Sequence, residues 1–118
     1  MPDLQDLIQE IISFRDERNW KRFHTPRNLS AALALEAGEL QETMLWKTDG
    51  EIEQLLCTPD RRTSISSEIA DVLIFGLLMC EATGINPTMA IREKLIENEK
   101  RYPANLSRDN ATKYTKLC

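Results

Sequence analysis

Apolar positions recur at helical spacing through most of the chain. Between residues 3 and 18, Leu4, Leu7, Ile8, Ile11 and Ile12 form a stripe with polar residues opposite, the pattern of an amphipathic helix. From Ile69 to Cys80 the stretch IADVLIFGLLMC is apolar on nearly every side, which predicts a central helix packed by several partners. No stretch alternates as a half-buried strand does. Prolines mark where the helices begin and end. Thr25-Pro26, Thr58-Pro59 and Asn86-Pro87 each join a capping residue to a proline. Proline suits the first helical position because its missing N–H would be unpaired there. It also pushes the preceding residue to the extended angles an N-cap needs. Pro2 is placed to open the first helix in the same way, and Pro103 stops the last one. The pattern predicts four main helices, about 3–18, 26–47, 59–83 and 87–101, joined by a link over 48–57 with room for one short helical piece. The predicted fold is all-α, a four-helix bundle or close relative. It forms one domain over residues 1–118, with an irregular tail from about 104.

Composition narrows the function. A chain of 118 residues can bury one modest core. Its 42% apolar and 29% charged residues are ordinary for a soluble globular protein. Lys and Arg number 15 against 19 Asp and Glu, a net charge of −4, which argues against binding polymeric DNA or RNA. No basic start followed by an apolar segment reads as a signal peptide. The run IADVLIFGLLMC is too short and too acidic to span a bilayer. Cys57, Cys80 and Cys118 are odd in number and show no CxxC spacing, so neither a zinc site nor a disulfide framework is expected. A reducing cytoplasm is the expected compartment.

The stretch LALEAGEL, residues 33–40, carries candidate chemistry. On a helix, Glu36 falls between Leu29 and Thr43, and Glu39 lies about 60° away, so both acids flank the apolar side while Glu42 points elsewhere. In SEIADVLIF, residues 67–75, Glu68 and Asp71 repeat the arrangement beside Phe75 and Leu78. Unpaired carboxylates on an inward face are costly, and neighbouring ones repel. If the two helices are antiparallel neighbours, four carboxylates converge, and a hard divalent cation removes the difficulty. Mg²⁺ takes carboxylate oxygens, keeps waters and binds substrate phosphates. A di-iron bundle needs E-x-x-H motifs, and His24 stands outside any such spacing. The bland alternative is a pair of solvated acidic faces.

The residues EAGE followed by EIAD resemble the E-x-x-E…E-x-x-D signature of the MazG-like all-α nucleotide pyrophosphohydrolases. The order of RDERNWKRFHTPRNLSAALALEAGEL, WK, SEIADVLIF, EN..RYP and KYT is similar to the dCTP pyrophosphatase branch, over nearly the whole chain. The resemblance implies an oligomeric all-α enzyme that hydrolyses a nucleoside triphosphate to monophosphate and pyrophosphate with Mg²⁺, or Mn²⁺ in its place. It implies Glu36, Glu39, Glu68 and Asp71 as metal ligands. Glu36 or Glu39 is the candidate general base, and the sequence does not choose between them. Lys94, Asn98 and Arg101, on one face of the last helix, would hold phosphate oxygens by this resemblance, where spacing alone favours a solvated charged face. Trp20, His24 and Trp46 are candidates for the base pocket, because aromatic rings stack on nucleobases. Trp46, seven residues after Glu39, is expected nearly in line with it on the second helix; the alternative is that both tryptophans are packing residues. Phe75 stands where the branch commonly has tyrosine, and Ile11 where it commonly has histidine. Both departures bear on the choice of base.

The expected substrate is dCTP or a modified dCTP, removed to clean the nucleotide pool. Another nucleotide, such as dUTP or one with a damaged base, is the near alternative. A non-enzymatic helical oligomerisation or binding module is the distant one. An all-round apolar third main helix also predicts a homo-oligomer, a dimer at least, with a tetramer implied by the resemblance.

Overall fold

The computed structural model describes residues 1–109. Its helices are α1 (Leu4–Glu17), α2 (Pro26–Glu42), α3 (Asp49–Cys57), α4 (Pro59–Thr83), α5 (Pro87–Arg101) and α6 (Ala104–Ser107), with a 3-10 turn at Lys21–Phe23. Among the described residues there is no strand, so the all-α expectation holds. The chain divides into two compact units, Met1–Gly84 and a second that begins at Ile85.

In the first unit α4 is central, packing against α1, α2 and α3. Its N-terminal half buries Ile65 and its C-terminal half Leu78, while α2 contributes Leu29, only 1% exposed. At 25 residues, α4 is by length and composition long and apolar enough to cross a membrane. Length therefore does not set it apart from a membrane span, contrary to the sequence expectation. Its contacts with three other helices and the acids Glu68 and Asp71 are what mark it as a bundle helix. Gly84 ends it at φ 71°, a left-handed angle that glycine adopts without a Cβ penalty.

The proline–cap reading holds at two starts. The Thr25 hydroxyl accepts the Asn28 N–H at 3.2 Å, and the Asn86 side chain accepts the Met89 N–H at 3.1 Å. At α4 it holds in position only: Thr58 is the extended N-cap and Pro59 the first helical residue, but the Thr58 hydroxyl donates back to the Gln54 carbonyl of α3 at 3.1 Å. It fails at α1, where Asp3, not Pro2, is the cap, in a reciprocal capping box with Asp6.

The second helix stops at Glu42, five residues short of its expected end at 47. The Thr43 hydroxyl donates to the Leu40 carbonyl at 2.7 Å, competing with the backbone for that acceptor. Three-residue turn bonds follow, such as Met44 N–H to Gln41 O at 3.0 Å. The room left lets Thr48 and Glu51 form a capping box that starts α3, a full nine-residue helix where only a short piece was expected.

In the second unit, α5 spans the expected residues. Ala104–Ser107 then closes one further helical turn on the Pro103 carbonyl, which accepts the Leu106 and Ser107 N–H groups at 3.0 and 2.9 Å. This replaces the first residues of the expected irregular tail. The rest of that tail, with the KYT motif at 113–115, lies outside the described residues.

Candidate active site

Glu36 and Glu39 project from adjacent turns of α2, and Glu68 from α4. One carboxylate oxygen of each lies within 4.8 Å of the others. The charges that act on one another give the pairing. Glu36 feels Asp71 and Glu68, and Glu68 feels Glu39 and Glu42. Positions 36 and 39 thus lie across the α2–α4 contact from 68 and 71, as two antiparallel helices would place them. The cluster was expected to hold four acids. Asp71 is outside the 4.8 Å group but within electrostatic reach of Glu36 and Glu68.

Glu42 is exposed and stands outside the cluster, as its outward angle on α2 implies, yet its charge still reaches Glu68, the last of the causes that raise that carboxyl.

The electrostatics of the cluster are unfavourable as they stand. A hydrogen bond to Glu39, then loss of hydration, then the charges of Glu39, Asp71 and Glu68 hold the Glu36 carboxyl above its ordinary pKa. Loss of hydration, then the charges of Glu39 and Asp71, raise that of Glu68. Oε2 of Glu36 and Oε2 of Glu68 are both buried and have no hydrogen-bond partner. Buried carboxylate oxygens without donors are costly. Three carboxylates from two helices with two orphaned oxygens are a donor set that a hard divalent cation satisfies, so these residues fit such an ion.

The aromatic residues fall into different places. Trp46 is off α2, in the turn that follows it, with φ 63° and 93% of its surface exposed. The expected in-line position beside Glu39 is therefore overturned, because the helix that would carry it ends four residues earlier. A bulky residue at left-handed φ is strained, and here its apolar ring stands in solvent. Phe75 is half-buried on α4, one turn beyond Asp71. Trp20 meets Phe14 edge-to-face, centroids 5.9 Å apart and planes at 72°, and Arg18 lies 3.6 Å over the Phe14 ring. Neither Phe14 nor Arg18 was singled out in the sequence. The signal was there in FRDER, where Phe14 and Arg18 stand one turn apart and reach the ring two residues further on. His24 is half-buried with its Nδ1 enclosed and unpartnered. Burial, then the Arg15 charge, lowers its pKa.

On α5, Lys94 and Arg101 both engage Glu97, at 3.2 and 2.6 Å. This ladder holds Glu97 below the usual carboxylate range, first through the Lys94 hydrogen bond and then through the Arg101 charge. Asn98, half-buried between them, accepts the Tyr102 N–H on its carbonyl at 2.7 Å. A cavity of about 270 Å³ opens beside α3, lined by Lys47, Glu51, Gln54, Leu55 and Thr58. It contains none of the clustered acids.

Fold and site together describe an all-α protein in which carboxylates gather where α2 packs on α4. Residues 31–117 match the model of the MazG-like family, and the chain belongs to that family. It is 40% identical over 116 residues to dCTP pyrophosphatase 1 of Homo sapiens, covering 98% of this chain and 68% of that protein. The corresponding rat protein, from Rattus norvegicus, is 39% identical over the same shares. Among solved structures, a pyrophosphatase from Archaeoglobus fulgidus superposes with a TM-score of 0.79 at 36% identity, over 87% of this chain and 94% of that one.

Proposed function

We propose that the protein hydrolyses a nucleoside triphosphate, dCTP or a modified dCTP, to the monophosphate and pyrophosphate. The observation that carries the reading is the cluster of Glu36, Glu39 and Glu68, with two buried carboxylate oxygens left without donors. The dCTP pyrophosphatases at about 40% identity support the substrate.

Glu36, Glu39, Glu68 and Asp71 would hold Mg²⁺, which when bound neutralises phosphate charge and lowers the pKa of water. Glu36 and Glu39 share a hydrogen bond. A carboxylate oxygen of this pair takes the proton of the water that attacks the α-phosphorus. Lys94 and Arg101 would exchange Glu97 for phosphate oxygens, with Asn98 donating from its amide. Trp46, exposed and in a strained turn, and the Trp20–His24 segment would bind the base, with Phe75 as a further ring.

We treat residues 1–118 as one catalytic domain, since the family match runs from α2 past α5. We further propose a homo-oligomer, dimer or tetramer. Leu35 on α2 and Leu73 on α4 are 64% and 62% exposed, and apolar surface of this kind needs a cover. Unpaired Cys57 and Cys80 accord with a reducing cytoplasm.

Pyrophosphate release from a panel of deoxy- and ribonucleoside triphosphates, with Mg²⁺ and with chelator, tests the function. Metal-dependent release with dCTP preferred is expected. A dUTP preference selects the alternative substrate, and no release from any nucleotide leaves the non-enzymatic module.

A further inference from the structure

Arg15 is a buried charge that the proposed chemistry does not use. Only 4% of it is exposed, and among the described residues it is the buried charged side chain. Its partners are modest. Nε and Nη2 reach Oδ1 of half-exposed Asp16 at 2.9 and 2.8 Å, and Nη1 stands 3.8 Å from Oε1 of Glu81 on α4. An apolar residue of similar size at such a place is often neutral for stability or better. Stability alone is therefore a weak reason for a guanidinium here.

Its position explains more. The Arg15 carbonyl accepts the N–H groups of Arg18 and Trp20, at 3.2 and 3.1 Å. The chain then passes through Asn19 at φ 55° and enters the Lys21–Phe23 turn that delivers His24. Arg15 thus holds the root of this segment by its backbone, while its side chain ties the same point to α4. Its charge also reaches His24, whose pKa is lowered first by burial and then by Arg15, and whose Nδ1 is enclosed without a partner.

We infer that Arg15 is a positioning residue: fixed between Asp16 and Glu81, it sets where the Trp20–His24 segment stands, and with it how well the nucleobase is held. The inference rests on the reading of Trp20 and His24 as base contacts.

Arg15→Met, Arg15→Lys and Glu81→Gln test it. Arg15→Met should raise KM for the preferred nucleotide by roughly tenfold or more, since small misplacements are costly, with kcat close to wild type, the mark of lost uniform binding. Preference among bases should narrow. Arg15→Lys, which keeps the charge without the planar fork, should recover part of the loss. His24 is the chain's single histidine, so its proton NMR titration reads the site without activity, and in Arg15→Met it should move to higher pH. A lower melting temperature in Arg15→Met, with KM, base preference and His24 titration unchanged in the folded enzyme, would overturn the inference. If Arg15→Met does not fold, Glu81→Gln carries the test: a raised KM supports the inference and an unchanged one refutes it. A wild-type protein that releases no pyrophosphate sinks the underlying function, whereas the His24 titration still decides whether Arg15 governs the segment.

Discussion

Glu68→Gln tests the reading of the acid cluster most directly. The side chain keeps its shape and loses its charge, and one of three gathered carboxylates is gone. In the wild type, Mg²⁺ at ~100 times its dissociation constant should stabilise the fold by about 2.7 kcal/mol. For 118 residues, an unfolding entropy of about 0.25 kcal/mol/K converts this to a rise in melting temperature of about 11 °C. Losing a direct ligand should weaken the metal at least as much as losing an outer partner does, roughly 100-fold. At the same Mg²⁺ concentration the rise then shrinks to about 2 °C. Turnover should fall by about 10² to 10³, the usual loss when preorganised charge is removed. Without metal the variant should melt at or above the wild-type temperature near neutral pH, because a repelling charge has gone. Thermal melts with and without Mg²⁺, beside pyrophosphate release, supply all three readings. A full metal-dependent rise in the variant, or a metal-free melting temperature several degrees below wild type, would refute the reasoning: Glu68 would then be a structural acid.

Other outcomes follow from the same geometry. Glu36 and Glu68 bind protons more readily folded than unfolded, so as pH rises above about 4.5, the ordinary carboxylate value, the metal-free fold should lose stability until both have ionised. Melting temperature against pH in chelator should show that fall, and saturating Mg²⁺ should flatten it. Trp46→Ala should raise KM with little change in melting temperature, since the ring is 93% exposed, and Trp46→Phe should recover part of the binding. Glu42→Gln should lower metal affinity by a few-fold through its charge at Glu68, while Glu10→Gln on exposed α1 surface should leave it unchanged in a calorimetric titration.

Helix existence was legible because proline, capping residues and apolar spacing agree at Thr25-Pro26 and Asn86-Pro87. Boundaries were less so. The end of α2 depends on a threonine hydroxyl that takes the Leu40 carbonyl, and nothing in the apolar pattern separates Thr43 capping a helix from Thr43 within one. That single difference moved Trp46 from a helix face to a turn. The acids were legible as pairs because each pair is local to one helix. Their mutual arrangement depends on how α2 meets α4, which local spacing does not contain, and so the reach of the Glu42 charge to Glu68 was not legible. Arg15 was invisible for a related reason: its partner Glu81 stands on α4, sixty-six positions away.

Stability and chemistry compete along the contact of α2 with α4, and the register shows how both are accommodated. If Glu36 faces Asp71 and Glu39 faces Glu68, the same antiparallel sum sets Leu29 opposite Leu78 and Glu42 opposite Ile65. Leu29 and Leu78, at 1% and 6% exposure, therefore close one end of the contact, about two turns from the acids. Ile65 closes the other, one turn before Glu68. The middle carries carboxylates where further leucines would hold the helices more tightly. Apolar anchors at both ends resist parting of the helices, the response that mutual repulsion would otherwise favour. What remains between them is a set of gathered charges, costly to the bundle as they stand, that a divalent cation would neutralise.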